Sequence, residues 1–369
     1  MEKKRLFLAS PHMSDEGYEK FFVKDAFDKN WIAPLGENVD SFEREIREMV
    51  NIENAVALIS GTASIHLALR AAGVGEGDEV FCQSLTFSAS ANPILYEKAK
   101  PIFVDSNRET WNMCPKALEE AIKAHPKAKA VVAVHLYGMC FQIDEIREIC
   151  KKNNLVLIED AAESLGTTYK GQYTGTFGDY GIYSFNGNKI ITTSGGGMLV
   201  TKNKQKADKI RFWSTQSKEP RKYYYHKELG FNYRLSNISA GIGRGQLKVL
   251  EQRIEKKRAI FAYYKEHLAD LPGISFMPEM EGTRMNCWLS CILSEEISPE
   301  TIADQLEKEN IETRPIWKPM HQQPFFEAYP FYGEGISDEI FAKGLCLPSD
   351  TKMTEEDLKR VVETIRSLW

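Results

Sequence analysis

Leu155-Val-Leu-Ile-Glu-Asp-Ala-Ala-Glu-Ser-Leu-Gly166 and, further along, Tyr183-Ser-Phe-Asn-Gly-Asn-Lys189 are the stretches on which the reading of this chain turns. In the first, four apolar residues run straight into Glu159 and Asp160, as a strand buried on both faces does when it ends in a carboxylate. In the second, an apolar strand spanning Tyr180 to Phe185 runs into a lysine. Thr192-Thr-Ser-Gly-Gly-Gly197 follows, and glycines this dense let backbone approach a ligand closely. A lysine desolvated among small residues is a candidate Schiff-base nucleophile. Taken alone, Lys189 would read as an exposed surface lysine, and a helix cap is the competing reading for Asp160.

The same texture extends outward. Ala55 to Ile59, Val80 to Gln83, Pro101 to Asp105, Ala130 to His135 and Gly197 to Thr201 read as further strands. Ser41 to Val50, Ile65 to Ala72 and Asp144 to Lys151 have helical spacing. Buried strands alternating with helices predict an α/β fold with a mainly parallel sheet covered on both faces, its ligand site at the carboxyl ends of the strands. From Leu247 the pattern changes. A charged helix (Leu247 to Ala269), a strand (Cys287 to Leu293), a helix (Ser298 to Asn310), a proline-rich segment (Arg314 to Pro324) and a last helix (Thr354 to Leu368) suggest a smaller α+β domain. The expected division is 1–246 and 247–369.

Composition narrows the function. The chain has 369 residues, is 43% apolar and 27% charged, and carries net charge −5, which suits a globular enzyme and argues against a nucleic-acid footprint. No apolar run is long enough to span a membrane, and the basic segment Met1 to Ser10 has no apolar core. A cytoplasmic protein is expected. The seven cysteines show no Cys-x-x-Cys pair, so buried thiols and no metal site are expected.

Ser60-Gly61-Thr62-Ala63-Ser64 lies between a strand and a helix, where free N–H groups can hold an anion; a plain helix cap is the competing reading. Gly73-x-Gly75-x-Gly77 precedes a strand instead of following one and fails as a dinucleotide loop. His66 lies on an apolar helix face and reads as a core residue. His135 ends a strand at the expected site mouth.

Beyond these single features, the sequence resembles the DegT/StrS-type sugar aminotransferases along nearly its whole length. The resembling stretches are Asn30-Trp-Ile-Ala-Pro-Leu-Gly36, Gly61-Thr-Ala-Ser64, Glu159 to Gly166, Ser184 to Lys189, Gly195-Gly-Gly197, Gly230-Phe-Asn-Tyr-Arg-Leu235 and Trp317-Lys-Pro-Met-His321. The forms around Lys189 and His321 look like the branch acting on UDP-linked 4-keto-6-deoxy-N-acetyl sugars, which makes bacillosamine-type precursors.

The resemblance implies fold type I architecture, the cofactor pyridoxal 5′-phosphate cycling through its pyridoxamine form, L-glutamate as donor, a nucleotide-linked keto sugar as acceptor, and a homodimer with shared sites. It implies that Lys189 binds the cofactor as a Schiff base and moves the proton. Asp160 would pair with the ring nitrogen. Gly61, Thr62, Ala63 and Ser184 would hold the phosphate, joined by Asn232 of the neighbouring subunit. Phe87 would stack on the ring, and Glu163 would lie near the phenolic oxygen. Asn186 stands where many relatives carry His, and Glu163 where many carry Gln. On the substrate side, Trp31, Arg234, Trp317, Lys318 and His321 are candidates, with a structural ion pair the alternative for Arg234 and a structural loop for the other three of the proline-flanked segment. The basic aromatic run Arg221 to Tyr225 could touch nucleotide or simply be a surface loop. Rival functions are transfer to a dTDP-4-keto or 3-keto sugar, and a cofactor-bound regulatory protein without turnover.

Overall fold

The computed structural model describes residues 3–369; Met1 and Glu2, part of the segment read for a leader, lie outside it. Its centre is an eight-stranded sheet. The order is Asn54–Leu58, Gly197–Thr201, Tyr180–Ser184, Val156–Asp160, Ala130–Val134, Glu79–Gln83, Lys100–Val104, Phe331–Tyr332. Only Gly197–Thr201 runs against its neighbours. The middle strands alternate between two cores. Val131, Ala133 and Leu157 face one, while Ala130, Val132 and Ile158 face the other. With both faces covered, neither set of positions can be polar, which explains the unbroken apolar runs.

Helix Gly61–Ala71 begins four residues earlier than its apolar spacing suggests, because Ser60 caps it. Several helices escaped the sequence reading. Asn237–Leu247 is the clearest, since its three glycines disfavour a helix. They are used for close packing: a Cβ on Gly245 would lie 2.5 Å from the backbone nitrogen of Glu19, in helix Tyr18–Asp28.

The C-terminal region carries a four-stranded antiparallel sheet, ordered Ile274–Phe276, Ser290–Ser294, Gly344–Leu347, Arg314–Pro315. The expected strand Cys287 to Leu293 starts only at Ser290, and Cys287 is left-handed at φ 51°. Strand Phe331–Tyr332 returns to the large sheet, parallel to Lys100–Val104. The proposed division at 246/247 falls at the end of helix Asn237–Leu247. Six cysteines are buried and Cys114 is half-buried; Cys291 and Cys346 face each other unbonded, Sγ to Sγ 3.6 Å. Among the described residues no helix is long and apolar enough to cross a membrane.

Candidate active site

The carboxyl ends of strands Val156–Asp160 and Tyr180–Ser184, the first turn of helix Gly61–Ala71 and the loop to Lys189 enclose a cavity of about 370 Å³. This is where a parallel sheet with helices on both faces leaves strand ends open.

At one end lies an anion cradle. The Ser60 hydroxyl accepts the Ala63 N–H at 3.0 Å, and its carbonyl accepts the Ser64 N–H at 3.1 Å. The Ala63 amide is therefore engaged, and Gly61 and Thr62 present the amides without a partner among the described residues. The Ser184 hydroxyl stands beside them and accepts the Asn186 N–H at 3.4 Å. Strand Gly197–Thr201 comes so close that a Cβ on Gly197 would sit 2.3 Å from the Ser60 carbonyl carbon. A helix start with free N–H groups and hydroxyls binds phosphate.

Asp160 is buried on the cavity floor. One carboxylate oxygen accepts the Ser90 hydroxyl at 2.6 Å, and the other accepts the Ala162 N–H at 3.2 Å. Lys189 reaches in from the loop, its side chain 11% exposed, with Nζ 3.4 Å from Glu163 Oε1. Glu163 Oε2 accepts the Tyr137 N–H at 2.7 Å. Burial pushes the Glu163 carboxyl up to about 7, against the opposing pull of Lys189 and the Tyr137 amide.

Trp288 belongs to the site and no sequence pattern marked it. Lys189 Nζ lies 4.1 Å from the centre of its ring. The indole N–H donates to the Asn188 carbonyl at 2.9 Å, next to the lysine in sequence. Asn286 shapes the approach. Its Oδ1 accepts the Trp288 N–H, and its Nδ2 donates to the carbonyls of Glu163 and Leu165. Buried Lys257 donates to the Trp288 and Ser349 carbonyls, both at 2.8 Å. Burial lowers Lys257 to about 8.

Phe87, 55% exposed, walls the cavity and packs on Trp317 with ring centres 5.5 Å apart. The Trp317 N–H donates to the Tyr137 hydroxyl at 3.1 Å. Lys318 lies in an adjoining groove that shares Phe87 and Trp317. Asn186 edges the cavity. The remaining candidates are not among the residues lining it. His321 is held by Ser84 at 2.7 Å and Asp338 at 3.1 Å and stacks on Phe331. Arg234 is buried against Glu43 and donates to the Ala57 carbonyl at 3.0 Å, the geometry of the structural ion pair. Trp31 is exposed, its indole N–H bonded to the Leu35 carbonyl. Asn232 is exposed, with its backbone bridged to Thr215. His66 is buried against Glu97, as a core residue. His135 is wholly buried and bonds Glu159, whose carboxylate also accepts the Gly175 and Phe177 N–H groups.

The donor set fits pyridoxal 5′-phosphate. There is an amine for its carbonyl, a buried carboxylate for a protonated ring nitrogen, an aromatic wall, and amides with hydroxyls for its phosphate. Fold and site together define a fold type I pyridoxal phosphate-dependent transferase. The chain belongs to the DegT/DnrJ/EryC1/StrS aminotransferase family, whose model matches residues 15–366. It is 51% identical to the "Putative pyridoxal phosphate-dependent aminotransferase EpsN" of Bacillus subtilis (strain 168), over 99% of this chain and 96% of that protein. It is 37% identical to a GDP-perosamine synthase of Escherichia coli O157:H7, over 96% of each. The crystal structure of a family aminotransferase from Brucella abortus superposes with TM-score 0.89 at 28% identity, covering 96% of this chain and 95% of that one.

Proposed function

We propose that this chain moves the amino group of L-glutamate to C4 of a UDP-linked 4-keto-6-deoxy-N-acetylhexosamine, for glycan or exopolysaccharide synthesis. The observation that carries the transfer chemistry is that Lys189, Asp160 and the Gly61–Thr62 cradle line one cavity. When bound, the cofactor supplies an electron sink for charge developing at the donor's α-carbon. Asp160 would hold a proton on the ring nitrogen. Lys189 Nζ would take the α-proton and return it on the far side of the nitrogen, two bonds away. Phe87 and Trp317 wall one side. Phe21, Phe27, Ile32 and Leu35 are exposed near the N-terminus, a face that a second copy would cover. In such a homodimer Asn232 would meet the partner's phosphate cradle. The UDP-sugar branch rests on the sequence forms around Lys189 and His321. A GDP-linked 4-keto sugar is the second reading, favoured by the perosamine synthase relative.

The test is a half-reaction spectrum. Protein converted to its pyridoxamine form with L-glutamate is given UDP-, GDP- and dTDP-linked 4-keto-6-deoxy sugars in turn. Return of the visible band with the UDP sugar alone supports the proposal. Return with only the GDP or dTDP sugar keeps the chemistry and replaces the substrate. A band that glutamate never bleaches rejects glutamate as donor, and failure with every amino donor supports the regulatory alternative.

A further inference from the structure

We infer that Glu163 is the proton partner of Lys189: its Oε1 takes the proton that Nζ must shed before the amine can act as a base, and returns it when the half-reaction closes. This rests on the aminotransferase reading above. The proton balance is one for one. The N–H bond breaks, its electron pair stays on Nζ, an O–H bond forms on Oε1, and the reverse step restores both.

The geometry supports this assignment. Oε1 is the carboxylate atom nearest Nζ, at 3.4 Å, while Oε2 is committed to the Tyr137 N–H. The Glu163 side chain is 4% exposed, so bulk water reaches little of it. The carboxylate is also held from behind. Tyr137 sits in the left-handed region at φ 52°, a conformation a tyrosine adopts only when its surroundings enforce it. Asn286 ties the Glu163 and Leu165 carbonyls to the segment that carries Trp288. A glutamine here would accept the Tyr137 N–H equally well and could carry no proton, so the choice of carboxyl has a chemical consequence that packing does not explain.

The groups facing Glu163 are few. Lys189 approaches from the loop after strand Tyr180–Ser184, and Asp160 lies upstream on its own segment. Tyr137 and Cys291 are the other titratable groups near it, with Cys346 in contact with Cys291. Burial holds the Tyr137 hydroxyl and the Cys291 thiol well above their ordinary values, so both stay neutral. Glu163, pushed up to about 7, is then the group that changes charge near neutrality.

Glu163→Gln preserves size and the Tyr137 bond, and two measurements read the proton. The first is an infrared difference spectrum, wild type minus Glu163→Gln, on cofactor-free protein across pH. A protonated-carboxyl band that disappears with a midpoint of about 7 is expected. A carboxyl already ionised at about pH 5 overturns the proposal. The second is single-turnover bleaching of the visible band by L-glutamate. The wild-type rate should rise with pH through an acid limb, and Glu163→Gln should lose that limb and slow by about 10²-fold. Glu163→Asp, which keeps a titrating carboxyl, should retain the limb. Should the wild-type band resist every amino donor, the function itself fails. Should it bleach while Glu163→Gln matches the wild type in rate and pH profile, this proposal alone fails.

Discussion

Replacing Arg234 with methionine separates two roles that a single residue cannot hold at once here. The side chains of Arg234 and Glu43 are 7% and 9% exposed and in direct contact. Removing one partner of a buried pair costs about 3–5 kcal/mol when the other charge is stranded. Glu43 would not be wholly stranded, because Arg211 donates to both its oxygens at 2.8 and 2.9 Å and the Ala57 N–H donates at 2.7 Å. That places the charge loss below the quoted range. The Ala57 carbonyl also loses its Arg234 donor, worth about 1 kcal/mol. The expected total is about 3 kcal/mol, read as a fall of about 1 M or less in the urea midpoint, because the urea slope of a 369-residue chain is at least about 3 kcal/mol per molar. The KM for the nucleotide sugar should stay within about twofold. Adding Glu43→Gln should recover part of the loss, with a coupling of about 1–3 kcal/mol. Unchanged stability together with a tenfold rise in KM would refute the reasoning and restore Arg234 to the substrate site.

Trp288→Leu removes the ring face beside Lys189, so kcat should fall about tenfold with KM unchanged, and Trp288→Phe should recover most of it. Equal losses in both variants would assign the effect to the indole N–H bond with Asn188 instead. Burial lowers Lys257 from 10.5 to about 8, so the unfolded chain holds that proton more tightly than the folded one. Its contribution to stability therefore rises between those two values as pH increases. The stability difference between wild type and Lys257→Met should climb by about 3 kcal/mol across that window. Denaturant titrations at both ends would show it, and parallel pH curves for the two proteins would contradict it.

The legible part of the fold was the part with a repeating physical constraint. Ala130–Val134 and Val156–Asp160 are apolar throughout because both faces are covered. Strands Phe331–Tyr332 and Arg314–Pro315 are two residues long and carry no pattern. Helix Asn237–Leu247 violates helix propensity, and only its packing against Tyr18–Asp28 makes its glycines intelligible. Of the cavity lining, Lys189, Asp160 and Thr62 could be read because each terminates or follows a recognisable strand. Arg234 and His321 stand in motifs as conspicuous, yet the structure commits them to Glu43 and to Ser84 with Asp338.

By itself the sequence determined the parallel α/β frame and pointed to a lysine and a carboxylate at its strand ends, which the structure places on the wall of one cavity. Those are local properties, set by the order of apolar and polar residues along one strand and the turn after it. Tertiary structure alone decided that Tyr137, Asn286, Trp288 and Lys257 would gather around Lys189 and Glu163. Their chain positions are far apart, so their meeting depends on how the small sheet docks on the large one. Burial of Glu163 raises its affinity for a proton, a property of its surroundings that residue identity does not carry.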